Sequence, residues 1–481
     1  MRPRAILQIM GVINMIIAAA MLAPLCVSLL FDEGDTKTFV ISVAITAAVG
    51  LVLYFVFRTK DIEISHREGF VVVAASWLCA SFFSALPFYI SGTLPSLTDA
   101  VFEASSGITT TGASVLNQIE GLPHGILFWR SMTHWLGGIG IVLFSVAILP
   151  LLGIGGMQLY KAEASSITGD KFVPRIKDMA KILVKVYLFL SFVMMVLLLI
   201  SGMGLFDAFV HAVGSISTGG FSDKNMSIAY YNNALIEWLI IIFMFVGATS
   251  FNLHYDFYKK GVRSYLKSEE FRFFFFTLLA STVLIAINLK ITGYVSSGSL
   301  IRDSAFQVVS ISTTTGYTTA NYAQWPAFSQ LILLLLMFIG GCAGSTTGAI
   351  KSVRVLVLFK FIYKELYRLI HPHAVAPVKL NGRVLSPEIV KGITGFTIIY
   401  FLVFIVSTLL LTTTNLDLVT SISSVATCLG GIGPALGATG PMSNFAALHG
   451  FAKWILILDM ILGRLEIYTL LILFIPAFWR G

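Results

Sequence analysis

Charge is what this sequence lacks most. Only 12% of its 481 residues are Asp, Glu, Lys or Arg, about half the roughly 25% of an average soluble domain. With 57% apolar residues beside so little ionisable surface, a water-exposed fold would show large apolar patches. A soluble enzyme, a disordered tail and a nucleic-acid binder are thereby excluded. Cysteine is also rare: Cys26, Cys79, Cys342 and Cys428 lie in apolar or small-residue stretches with no CxxC pair. They read as buried, inert thiols rather than disulfides or metal ligands. No Ser/His/Asp set, Cys nucleophile or paired carboxylate falls in one plausible pocket, so the chain does not read as an enzyme. What is abundant is long apolar sequence, and a polytopic membrane protein follows.

A spanning helix needs about 20 mostly apolar residues. Ten segments qualify, near 5–31, 38–57, 69–91, 126–152, 179–202, 234–258, 271–293, 327–361, 389–413 and 450–478. The first has the Arg2/Arg4 flank of a signal peptide, but its apolar run continues through Leu30 and is too long for one. With the N-terminus in the cytoplasm, only Lys37, Arg130, Lys224, Lys290, Arg302 and Lys453 fall outside. Setting aside Arg464 within a span, 25 basic residues then lie inside, clustered at Arg58–Arg67, Lys161–Lys185, Lys259–Arg272 and Lys351–Lys391. The positive-inside rule selects this orientation, which places both termini in the cytoplasm. Asp32, Glu33, Asp35, Asp99, Glu103, Asp207, Asp303 and Asp417 make the outer side mildly acidic.

Between the later spans lie segments too short to cross, and four of them share a pattern. They read DAVFEASSGITTTG (99–112), DAFVHAVGSISTGG (207–220), DSAFQVVSISTTTG (303–316) and DLVTSISSVATCLG (417–430). In each, an Asp precedes an aligned Gly by 13 positions. The repeating unit is helix, short segment, helix, starting near residues 69, 179, 271 and 389, with two spans outside it. The Asp is expected to cap a helix of about three turns, whose C-terminal dipole end points at the following loop. Thr and Ser then lead to a Gly free to adopt left-handed dihedrals, so that consecutive carbonyls face one way. Irregular backbone at membrane depth survives only when buried in protein or lining a wet cavity. Four such loops on one axis would replace a cation's water shell.

On these motifs, together with Gly463-Arg-Leu-Glu466, the chain resembles the TrkH/KtrB superfamily of potassium transporters, specifically its TrkH branch. The resemblance implies an all-α integral membrane protein: two extra N-terminal helices (1–67) and four K⁺-channel-like helix–pore helix–helix units at 68–160, 161–266, 267–384 and 385–481. It implies K⁺ uptake across a bacterial inner membrane, with K⁺ as transported ion and no cofactor on the chain itself. The implied filter comprises Thr110, Thr111 and Gly112, then Thr218, Gly219 and Gly220, then Thr314, Thr315 and Gly316. The fourth loop lacks the Thr run; there Leu429, Gly430 and Gly431 are implied, with either glycine able to take the filter position. The same resemblance implies a homodimer in the lipid bilayer and a cytosolic TrkA-like ring binding NAD, ATP or ADP. It implies no nucleic-acid partner.

The eighth span is interrupted by Gly340-Gly-Cys-Ala-Gly-Ser-Thr-Thr-Gly348, which cannot make a good helix. It reads either as a kink or, by resemblance, as an intramembrane gate formed by Gly344, Ser345, Thr346, Thr347 and Gly348. Arg464 lies deep in the last span, where ionisable groups are costly and usually functional. It is either a partner of Glu466 or, by resemblance, a positive barrier under the filter that touches the gate. Gly137–Gly140 and Gly247–Ser250 read as close-packing stretches. Gly153–Gly156 and Gly431–Gly433 complete no dinucleotide fingerprint. His371 and His373 read as exposed, and His211 as a structural hydrogen-bond partner. The rival functional class is a secondary symporter coupled to H⁺ or Na⁺, but its usual inverted repeats are absent, because here every unit has two spans and the same orientation.

Overall fold

The computed structural model describes residues 1–59, 65–147, 172–294 and 299–480. Lys60, Gly153–Gly156, the 160/161 unit boundary and the first part of the Lys161–Lys185 cluster lie outside the described residues. The described residues are mostly helical. Seven of the ten expected spans are single apolar helices of 21–29 residues: Pro3–Phe31, Thr36–Val56, His66–Ile90, His124–Phe144, Asp178–Ile200, Glu269–Ile291 and Pro387–Thr412. Each is long enough for a bilayer.

The other three spans are the second helices of the second, third and fourth units, and each breaks midway. Ala234–Gly247 turns by 96° into Phe251–Lys260. Ala327–Ile339 stops at Gly340, and helix resumes only at Ser352–Ile370. Gly450–Arg464 ends before Glu466 and Ile467, both in left-handed backbone. Only the eighth-span break was expected. Gly247–Ser250 is therefore a bend as well as a packing contact, and the tenth span is not one rod.

The two leading helices cross where Gly11 and Gly50 bring their backbones together, leaving no room for a Cβ at either position. Their connecting loop docks on the start of His124–Ala147. Glu33 accepts from the His124 backbone N–H and pairs with its ring at 2.8 Å, and Asp35 lies against Gly125. Acids are favoured at a helix N-terminus by the dipole. His124–Phe144 is 67% buried, whereas the first helices of units two to four are 22–28% buried. The first helices are thus peripheral, and the second helices and the short segments form the centre.

Lys379–Leu380 and Arg383–Val384 form an antiparallel hairpin through Asn381-Gly382, both in left-handed backbone. With Val353, Val357, Val378, Leu385, Val390 and Ile393 it makes a second, small apolar core. His371 and His373 are exposed. All four cysteines are free; Cys342 and Cys428 are buried and Cys79 partly so, but Cys26 is exposed.

Candidate permeation site

Four short helices converge at the centre: Leu97–Ile108, Leu205–Ile216, Leu300–Ser312 and Leu418–Gly430. The expected Asp cap holds only for the fourth, where Asp417 accepts from Thr420 N–H at 3.0 Å. Asp99, Asp207 and Asp303 instead sit inside the first helical turn, where a carboxylate still complements the dipole. That offset matters at the other end. Thr110, Thr218, Thr314 and Gly431 follow the helices in left-handed backbone, with φ of 55°, 53°, 55° and 69°. One residue later, Thr111, Gly219, Thr315 and Ile432 each donate N–H back into the helix, to Ser106, Gly214, Ser310 and Thr427 carbonyls at 2.8–2.9 Å. Next come Gly112, Gly220, Gly316 and Gly433, with φ of 82°, 83°, 84° and 106°.

The fourth loop is therefore Gly431-Ile432-Gly433. Leu429 and Gly430 belong to the last turn of the short helix, and Gly431 takes the place of Thr110 rather than of Gly112. The 13-residue spacing from Asp417 to Gly430 is real in the sequence but pairs an N-cap with a helical glycine. Left-handed backbone costs a side chain about 1–2 kcal/mol per residue, which Thr bears in three loops and Gly avoids in the fourth.

The loops close into a ring. A Cβ built on Gly112 would lie under 3.0 Å from the Gly219 carbonyl oxygen, one on Gly220 from that of Thr315, one on Gly316 from that of Ile432, and one on Gly433 from that of Thr111. Each glycine thus abuts the next unit's carbonyl, first to second to third to fourth to first. All four glycines line a cavity of about 170 Å³ on one side of the ring. Gly137, Gly247 and Gly463 let the second helices press on the last carbonyls of the short helices behind the ring, at Ile108, Ile216 and Leu429.

Beneath the ring lies the broken third-unit helix. The Thr346 hydroxyl donates toward the Ile216 and Gly247 carbonyls at 3.0 and 3.1 Å, and Gly348 N–H donates to Thr314 Oγ1 at 3.0 Å. A Cβ on Gly348 would collide with the Gly430 carbonyl. Ser345 and Thr347 hydroxyls bond each other at 2.8 Å, and Gly344 accepts from Phe251 N–H at 3.0 Å. This segment touches units two, three and four. Arg464 supplies unit one: its Nη1 donates to the Thr346 carbonyl at 2.6 Å and its Nη2 to that of Gly137 at 3.1 Å. Glu466 pairs with Arg354 instead. Lys351, which its sequence context marks only as the start of a basic cluster, reaches back to the Thr347 carbonyl and hydroxyl. Below the loop opens a cavity of about 610 Å³, lined by Thr347, Gly348, Lys351, Arg464 and Glu466 among others.

One cavity thus borders the ring and the other the broken segment. The ring is built of glycines and backbone carbonyls, a chemistry that can replace water around an alkali cation; among the described residues no group of three His, Cys, Asp or Glu could hold a metal. The Arg464 guanidinium lines the larger cavity beside the broken segment.

A family model described as TrkH, cation transport protein, matches residues 35–480. The chain is 41% identical to the Trk system potassium uptake protein TrkH of Salmonella typhimurium over 99% of each chain. It is 40% identical to that of Vibrio parahaemolyticus over the full length of both, and 36% identical to TrkG of Escherichia coli over 99% of each. The crystal structure of the potassium transporter TrkH from Vibrio parahaemolyticus superposes with a TM-score of 0.92 at 38% identity, covering all of both chains.

Proposed function

The chain belongs to the TrkH family of cation transport proteins, and from that premise we propose how it conducts. It is a multi-span membrane protein of potassium uptake. K⁺ enters from the outer cavity, passes the ring of Thr110–Gly112, Thr218–Gly220, Thr314–Gly316 and Gly431–Gly433, and meets the Gly344–Gly348 gate and Arg464 below. The observation that carries this reading is the closed head-to-tail contact of four loops. A carbonyl ring on one axis coordinates an ion without a mobile binding site, which favours a pore over a coupled symporter. With fewer layers than a full Thr-Val-Gly-Tyr-Gly filter, its K⁺ over Na⁺ discrimination is weaker.

The chain works in the bacterial inner membrane with both termini in the cytoplasm, as a homodimer. Its units divide near 67/68, 160/161, 266/267 and 384/385. A cytosolic nucleotide-binding partner acts on the gate through the basic cytoplasmic loops. Purified protein in liposomes is expected to pass radioactive rubidium down its gradient with no proton or Na⁺ gradient imposed. Flux that strictly requires either gradient would replace the pore with the symporter.

A further inference from the structure

We infer that Glu103 and Arg130 are positioning residues that set the selectivity of the ring, by tying the outer end of the first loop to that of the second. The inference rests on the reading of the ring as a K⁺ filter. Nine positions before each ring glycine stands a polar side chain: Glu103, His211, Gln307 and Ser424. All four are buried, and the first three reach the segment leaving their own loop. Glu103 accepts from the Ser114 hydroxyl at 3.0 Å and from Val115 N–H at 2.9 Å. His211 Nε2 bonds the Ser222 hydroxyl at 3.0 Å. The Gln307 side-chain oxygen, in the amide orientation that satisfies its neighbours, accepts from Thr319 N–H at 2.9 Å. Ser424 holds the Thr439 hydroxyl at 2.7 Å, farther along the exit.

The first brace is itself a carboxylate, and through Arg130 it is hydrogen-bonded to a second unit, whereas His211 pairs with Asp223 of its own unit at 3.7 Å and meets Tyr317 of the third unit only by ring packing. Arg130 donates from Nε to Glu103 at 2.7 Å and from Nη1 to the Ser222 carbonyl at 2.7 Å, and its guanidinium lies 3.6 Å from the centre of the Phe221 ring. Ser222 and Phe221 follow Gly220 directly. Neither member of the pair is more than 3% exposed. His134 adds a parallel tie, bonding the Gly107 carbonyl at 2.8 Å and accepting from Phe221 N–H at 3.2 Å. A desolvated, charge-assisted bond is stronger and more directional than the neutral braces of the third and fourth units. Ring radius decides which cation the carbonyls fit, so a slack joint between loops one and two admits the smaller ion.

Removing one member of a buried pair strands the other charge, so a loss of folding alone would prove nothing. Three variants address this. Glu103→Gln keeps an acceptor for Val115, as Gln307 does for Thr319, but removes the anion that orients Arg130. Ser114→Ala leaves both charges in place and removes one bond that holds Glu103 to the loop. Gly316→Ser strikes the ring itself. The readout is the ratio of K⁺ to Na⁺ flux for purified protein in liposomes, with melting temperature measured alongside. Glu103→Gln is expected to lower the ratio several-fold, and Ser114→Ala to lower it less, at near-normal melting temperature. A wild-type ratio in Ser114→Ala and in folded Glu103→Gln, while Gly316→Ser loses selectivity, would overturn the positioning role and leave the filter standing. An unchanged ratio in Gly316→Ser as well would remove the filter reading on which the inference rests.

Discussion

Gly433→Ser tests how the fourth loop enters the ring. Its φ of 106° is backbone that a side chain adopts only under strain, at about 1–3 kcal/mol. The new Cβ would stand 2.9 Å from the Thr111 carbonyl oxygen and 2.9 Å from the Gly112 carbonyl carbon. Both belong to the first loop's backbone, so no flexible side chain can move aside and the ring must open. A total near 3 kcal/mol is the right order, and if half of it bears on K⁺ relative to Na⁺, selectivity falls about tenfold, since ~1.4 kcal/mol is a factor of ten. The control is Gly430→Ser, inside the short helix, where a Cβ would press on the Met337 carbonyl and the Ile432 side chain. It is expected to shift the Met337 backbone and the Ile432 side chain but, lying in ordinary helical backbone behind the ring, to lower the ratio less than Gly433→Ser. The assay is rubidium uptake into vesicles with competing K⁺ or Na⁺, normalised to folded protein. Selectivity lost in Gly430→Ser and retained in Gly433→Ser would refute the Gly431–Gly433 register and return the filter to Leu429–Gly431.

Gly112→Ser is expected to behave like Gly433→Ser, because its Cβ meets the Gly219 carbonyl; unchanged K⁺ over Na⁺ uptake would remove that loop from the ring. Arg464→Ala deletes two charge-assisted bonds to carbonyls, each worth about 1.5–3 kcal/mol, and should raise rubidium flux per folded protein. Arg464→Lys keeps the charge without the planar fork, so flux should stay low while the loop loosens; flux in the Ala variant at or below wild type would sink the barrier role. Shortening Gly344–Gly348 should raise basal flux and weaken regulation, whereas folded protein with wild-type flux would make the loop a packing kink. Asp417→Ala should cost about 1 kcal/mol through the lost helix cap. The Thr420 side chain and backbone N–H hold the Asp417 carboxyl below its usual range, so this stabilisation is present above the unfolded value of about 3.9. It disappears as pH falls through the depressed folded value. Melting curves of variant and wild type should therefore converge in acid, and a constant gap would argue against the cap.

Much of this protein was legible in its sequence because a bilayer restricts the available solutions. Long apolar runs with sparse charge can only be spans, and the basic residues give them an orientation. The recurrence of Asp, Ser/Thr and Gly singled out four segments, and each is a short helix followed by a loop with a left-handed glycine. Arg464 and Gly344–Gly348 stood out because each breaks a rule of membrane helices: a charge at depth, and glycine where helix is needed.

Tertiary structure decided what depends on which backbone faces which. The fourth loop carries Gly-Ile-Gly in place of Thr-Thr-Gly or Thr-Gly-Gly, and its residue identities pointed to Gly430 or Gly431 as the aligned glycine; the bond from Ile432 to Thr427 and the contact of Gly433 with Thr111 put Gly433 there instead. The bend after Gly247 and the break at Glu466–Ile467 were not legible as breaks, since Gly247-Ala-Thr-Ser250 reads equally as a packing stretch and Arg464-Leu-Glu466 as a charged pair within a span. Glu103 and Arg130 counted in the sequence as outer charges, yet they are buried together at 2.7 Å. Composition records that a charge exists. Whether it meets water or a counter-ion 27 residues away is settled by how the helices pack.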